Sequence, residues 1–176
     1  MSLWSSLLGF QANFLALLLS AGSRWEPLAC ALAAGWIIWQ LTHRAMTREI
    51  ALLAGLTLLI GPLADLSLAG TGLVTYSSRW SAGGLPLWIV MLWGCFGLGL
   101  RQPFGWLLSE RHFYCWPAVA LGAPMAYLAG ARLGAAELGE PITVSLCAIS
   151  ASWVLVFATL KITARRLRRP PLVPQE

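Results

Sequence analysis

The sequence predicts an all-α, polytopic membrane helix bundle of about six transmembrane helices, with both termini on the cytoplasmic side (N-in/C-in). Three observations carry this. Apolar residues make up 58% of the 176 positions and charged residues only 11%, against roughly 25% charged in soluble domains. Apolar runs long enough to cross a bilayer recur along the chain, which has a mean hydropathy of +0.71. Five of the twelve basic residues follow Leu160 (Lys161, Arg165, Arg166, Arg168 and Arg169), the usual cytoplasmic flank of an apolar helix and a magnet for anionic headgroups. The length suits one domain, with residues 1–164 as the six-helix transmembrane part and 165–176 as a basic, Pro-rich cytoplasmic tail. The tail accounts for much of the net charge of +5. No aromatic-interleaved basic patch accompanies it, so nucleic acid is not an expected partner.

The first run, Leu3 to Ala21, has no Lys or Arg before it. A signal peptide needs a positive leading segment, so this is read as a retained first helix. Gln11 and Asn13 lie near its middle. Hydrogen bonds to such groups inside a bilayer contribute about 0.6 to 2 kcal/mol, so both are expected to face other helices. The second run, Pro27 to Leu41, opens on a proline suited to a first helical turn. Trp25 and Trp39 read as interfacial anchors at its two ends.

The third run, Ile50 to Gly70, holds the most distinctive stretch, Gly61-Pro62-Leu63-Ala64-Asp65. Asp65 is the one acidic residue inside an apolar run. After it, Leu73-Val74-Thr75-Tyr76 reads either as a short extended piece or as an interfacial hairpin. The fourth run spans Leu85 to about Leu100, and Arg101 to Leu108 reads as its extension beyond a proline kink. The fifth run, Phe113 to about Leu133, repeats small residues at Gly122, Ala126, Gly130 and Gly134. That spacing lines one side of a helix and suits close approach of another backbone. Glu137 to Glu140 reads as a polar turn, and Ile142 to Leu160 is the sixth run.

Charge sets the orientation. With both ends inside, the inner side holds Arg44, Arg48, Arg101, Arg111, Lys161, Arg165, Arg166, Arg168 and Arg169, and the outer side holds Arg24, Arg79 and Arg132. Nine against three favours this arrangement. Without the tail the count is four against three, so the tail decides most of it.

In this topology the third and fifth helices run the same way. Pro62 lies twelve residues after Ile50 and Pro124 eleven after Phe113, at matching depths. Asp65 and Tyr127 each follow their proline by three. The expectation is therefore two Gly/Pro-loosened helices side by side, broken near Gly61-Pro62 and Gly122-Pro124, with Asp65 facing Tyr127. Asn13 or Gln11 would line the same spot, with Arg132 just outside it. A buried unpaired carboxylate costs several kcal/mol, so Asp65 must be partnered, protonated or wet. It is a packing bond, a proton- or ligand-binding group, or an interfacial residue of a helix that ends early.

Other chemistry is thin. His43, Glu49, Glu110 and His112 share the inner loops without metal-ligand spacing, and no metal or cofactor is expected. No phosphate-cradling glycine loop or nucleophile elbow occurs. Cys30, Cys95, Cys115 and Cys147 read as small buried apolar side chains. Trp4, Trp39, Trp106 and Trp116 read as an inner aromatic belt, Trp25, Trp80 and Trp88 as an outer one, and Trp36, Trp93 and Trp153 as core.

Several separated motifs carry a resemblance. They are Gly61-Pro62-x-x-Asp65 with Gly70 and Gly72, Pro86-Leu87-Trp88 with Leu92-Trp93, and Gly122-Ala123-Pro124-x-Ala126-Tyr127-x-Ala129-Gly130. In this order they resemble an uncharacterised family of bacterial inner-membrane proteins, a domain of unknown function, from about Phe10 to Gly134. The resemblance implies a small multi-pass inner-membrane protein in a lipid context, since such proteins are often encoded near lipid-modifying enzymes. The expected role is a non-enzymatic accessory or scaffold component of envelope lipid metabolism. Its partners would be membrane lipids and a lipid-metabolism enzyme or other membrane protein. The alternatives are a small proton-coupled transporter using Asp65, or an intramembrane lipid-modifying enzyme. A water-filled cavity at Asp65 open to one side favours transport; a dry, fully paired Asp65 favours the scaffold.

Overall fold

The computed structural model describes residues 3–43, 46–100, 103–108 and 113–168. Each apolar run forms a helix: α1 (Leu3–Ser20), α2 (Glu26–His43), α3 (Arg48–Gly70), α4 (Leu87–Gly99), α5 (Cys115–Arg132) and α6 (Ile142–Arg168). α3 and α6 are long and apolar enough to cross a membrane. Large apolar side chains such as Leu8, Leu32, Leu59, Leu121 and Leu155 point outward from five of the six helices.

α4 has 13 residues and is apolar all round, the pattern of a helix enclosed by others. It packs against α1, α2 and α3, and buries Trp88, Ile89, Trp93, Cys95 and Leu98. Gly97 permits the α3 contact: a Cβ there would stand 3.2 Å from both the Cα and the carbonyl oxygen of Ala54. α3 in turn packs on α6, and α6 on α5. α5 packs on the other helices chiefly through α6, while α1 packs on α2 and α4.

Three expectations change. α3 and α5 do not pack side by side, because α6 contacts both and stands between them. Pro62 and Pro124 lie inside continuous helices; each removes one backbone donor without ending its helix. α4 does not extend past Gly99. The Phe104 amide donates to the Gly99 carbonyl, and a 3₁₀ turn (Gly105–Leu108) follows. Pro103 cannot supply the next helical hydrogen bond. Folding back lets Phe104 stack edge-on against Phe10 and buries Leu107 and Leu108.

The loops after α1, α3 and α5 gather at one end, which carries Arg24, Arg79 and Arg132. The extended piece forms there as β1 (Val74–Tyr76), and its partner is distant. It pairs antiparallel with β4 (Ala136–Leu138), which overlaps the stretch that reads locally as a polar turn. A ladder of three residue pairs is too short to declare its partner in sequence. β2 (Ser81–Ala82) and β3 (Leu85–Pro86) form a tight hairpin around Gly83 and Gly84, both at positive φ (62° and 86°), a conformation glycine adopts without a Cβ penalty.

Glu26 ties these loops together. It is 1% exposed. It accepts from the Gly22 amide, the Ser78 hydroxyl and the Arg79 amide, each at 2.9 Å. At the first turn of α2 its charge also meets the positive end of the helix. The sequence placed Trp88 in an aromatic belt; the structure buries it, and its indole donates to the Ser77 carbonyl at 2.9 Å. Cys30, Cys95 and Cys115 are buried as expected, whereas Cys147 is exposed on α6. Arg44, Arg101, Arg111 and Arg169 lie outside the described residues, as do Glu110, His112 and the 169–176 part of the tail.

Replacing Glu26 with Ala strands buried donors, each worth about 1–3 kcal/mol. Glu26→Ala is expected to lower unfolding stability in detergent by about 3 kcal/mol, with Glu26→Gln losing less. Equal stability of Glu26→Ala and the parent chain would show that water replaces the carboxylate.

Candidate functional site

The buried stripe of α3 is Leu53, Thr57, Gly61, Asp65 and Leu68, spaced to fall on one helix face. Gly61 lies one turn before Asp65 on that stripe. A Cβ at Gly61 would overlap the indole of Trp93. The glycine is therefore a seat for that ring. Held there, the indole donates through Nε1 to Asp65 Oδ2 at 2.6 Å.

Two phenols meet the other carboxylate oxygen. Tyr76, on β1, donates to Asp65 Oδ1 at 2.8 Å, and Tyr127, on α5, donates to the same atom in a very short hydrogen bond. The Trp153 indole on α6 reaches the Tyr127 hydroxyl oxygen at 3.4 Å and stacks on Trp93 with ring centres 4.5 Å apart. One carboxylate, 2% exposed, thereby joins α3, α4, α5 and β1, with α6 in the second layer of contact. Burial first, and then the neighbouring Tyr127 and Asp65 side chains, push the Tyr76 phenol far above its ordinary range. Tyr76 is held as a donor.

Beside this cluster lies a cavity of about 330 Å³, within the size range of small-ligand sites. Its walls are aromatic and aliphatic. α1 supplies Phe10, Phe14 and Leu18, and α4 supplies Trp88, Ile89, Leu92, Trp93 and Phe96. Asp65, Tyr76 and Tyr127 bring its carboxylate and hydroxyl groups.

The small-residue stripe of α5 faces this space and not a neighbouring backbone. Gly122, Ala126 and Gly130 all line it. A Cβ on Gly122 would meet nothing within 4 Å, and one on Gly130 only Leu18, at 3.9 Å. Gly134 has a different role, turning the chain after α5 at φ 77°. The stripe withholds side-chain volume, and the cavity is what remains.

Tyr127 is where the helix arithmetic placed it, level with Asp65. Gln11, Asn13 and Arg132 are not part of the cluster or the cavity lining. Gln11 and Arg132 are exposed. Asn13 turns its amide onto the Gly9 carbonyl of its own helix at 2.8 Å, a local partner that removes the need for an interhelical one. Tyr76, Trp93 and Trp153 were missed as site residues. A buried indole N–H needs an acceptor, and Asp65 is the one carboxylate within an apolar run; that pairing was available as a signal for Trp93.

The fold and site together define a class: an apolar helical bundle with an aromatic cavity and a single buried carboxylate, held by three donors, in its wall. The chain belongs to the DUF2878 family, described as a protein of unknown function, whose model matches residues 3–159. No curated protein and no solved structure matches it.

Removing the carboxylate leaves two phenols and an indole without their acceptor. Asp65→Ala is expected to cost about 3–5 kcal/mol. Gly61→Ala, which presses a methyl into the Trp93 ring, is expected to cost about 1–3 kcal/mol. Tryptophan emission during denaturant titration reads both, and an Asp65→Ala loss below that of Gly61→Ala would show that the cluster is not the main joint.

Proposed function

We propose that this chain is a non-catalytic, six-span protein of the bacterial inner membrane that holds a hydrocarbon ligand in its aromatic cavity. It acts as an accessory or scaffold component in an envelope lipid context, with lipids and a lipid-metabolism enzyme or other membrane protein as partners. The cavity carries this reading: about 330 Å³ of space walled by aromatic and aliphatic side chains.

Charge supports the orientation. The loop end holds Arg24, Arg79 and Arg132, while Arg48, Lys161, Arg165, Arg166 and Arg168 lie toward the opposite end. The richer end faces the cytoplasm. The outward apolar side chains suit a lipid surrounding, and α4, the shortest helix, crosses within the shelter of its neighbours.

The state of Asp65 favours holding over transport. Its three donors come from the protein itself, so it is a joint that fixes the cavity wall. An enzyme reading needs a second reacting group, and among the described cavity-lining residues Asp65 is the one carboxylate, with no His, Cys or Ser beside it and with both lining phenols committed as donors to it.

Native mass spectrometry of the purified chain tests this. The parent protein is expected to retain hydrocarbon-bearing lipid through mild activation. Ala126→Phe, which fills the cavity from α5, is expected to lower retention about tenfold while helix content stays the same. Equal retention by both proteins would place the lipid on the outer surface and end the cavity reading.

A further inference from the structure

We infer that the cavity takes a single-chain amphiphile with an uncharged hydroxyl head, a long-chain alcohol, lying lengthwise with its hydroxyl against Asp65 and entering sideways between α1 and α5. This rests on the reading of the cavity as a hydrocarbon site and adds the class of ligand.

Shape comes first. The lining on α5 runs from Ala118 to Gly130, about 18 Å at 1.5 Å per residue. A volume of about 330 Å³ suits one hydrocarbon chain and is small for the paired tails of a phospholipid.

Polarity is graded along that length. Asp65 and Tyr127 fall in the loop-side halves of α3 and α5, and Tyr76 in the loop beyond, while Phe104 and Trp106 follow the far end of α4. A carboxylate offers about four acceptor positions. Tyr76 and Tyr127 occupy two on Oδ1, and Trp93 occupies one on Oδ2. One position on Oδ2 remains, and its complement is a single donor.

The same geometry sorts head groups. Among the described residues the cavity lining holds no Lys or Arg, so an acid or phosphate head would meet a carboxylate without a counter-charge. The phenols and the Trp93 indole already direct their hydrogens at Asp65. An ammonium head brings a counter-charge but gives up its hydration for one remaining acceptor, which leaves two of its three donors unpaired. A hydroxyl loses less on leaving water and needs only that one acceptor.

The route follows from the gap between two helices. α1 and α5 share no extended contact, and both line the cavity. Leu18 approaches Gly130 and closes the gap near the Asp65 end. Farther along, Phe14 and the exposed Gly122 border the opening.

The test uses the full chain in detergent with three photoreactive probes: octadecanol, octadecanoate and octadecylamine, each with a mid-chain diazirine. Adducts are mapped by peptide mass spectrometry. The alcohol is expected to label α1 and α5 residues around Phe14 and Ala126 with about tenfold higher apparent affinity than the acid or the amine. Asp65→Asn is expected to abolish that preference while labelling persists. If Asp65→Asn does not fold, the comparison of the three heads on the parent protein still decides. Equal labelling by all three, or a preference for acid or amine, overturns the hydroxyl head and leaves the hydrocarbon site standing. Absence of cavity labelling by every probe overturns both.

Discussion

A carboxylate removed from water must recover its lost hydration from hydrogen-bond donors, or its burial costs several kcal/mol. Asp65 recovers it from three side chains on three different elements. None of these donors is near it in sequence: Tyr76 lies beyond the end of α3, Trp93 is on α4 and Tyr127 is on α5. The bonds form only when those elements reach their final positions. The energetic demand of one residue thereby becomes a constraint on the relative placement of two helices and a strand. Trp153 extends it to α6 through its stack on Trp93 and its contact with Tyr127.

The cavity is the counterpart of this joint. Helices pulled together by a polar contact would ordinarily close on one another, since interiors pack densely. Here Gly122, Ala126 and Gly130 withhold the side chains that would fill the gap. Large rings on α1 and α4 hold the opposite walls apart. Gly61 works in the other sense: its missing Cβ lets Trp93 approach α3 closely enough to reach Asp65. One glycine permits contact and others preserve space, a difference set by what stands opposite each of them.

Much of the architecture was legible in the chain. Six apolar runs became six helices, because helical apolar segments are defined by local composition and length. The equal depth of Asp65 and Tyr127 followed from a constant rise per residue. Expectations failed where a partner had to be chosen. The small-residue stripe was matched to a neighbouring backbone but borders a void, since spacing records the absence of side chains and not what faces them. Asn13 found its own helix's carbonyl, and Trp88 left the belt for the Ser77 carbonyl. Glu26 became the anchor of the loop end because the Ser78 hydroxyl and the Arg79 amide reach it from a loop far along the chain.

The sequence by itself determined the helices, their apolar character, the singular position of Asp65 and the need for that group to be partnered. These follow from composition, periodicity and the free energy of burying charge, all local properties. The tertiary structure alone decided who the partners are. It placed α6 between α3 and α5, folded β1 onto β4 and turned the small face of α5 toward an empty space. Such choices depend on which surfaces remain unmatched after every helix has packed, and no single segment carries that information. The Gly61-Pro62-x-x-Asp65 stretch is therefore a seat and an acceptor, and its meaning rests on an indole that arrives from the next helix.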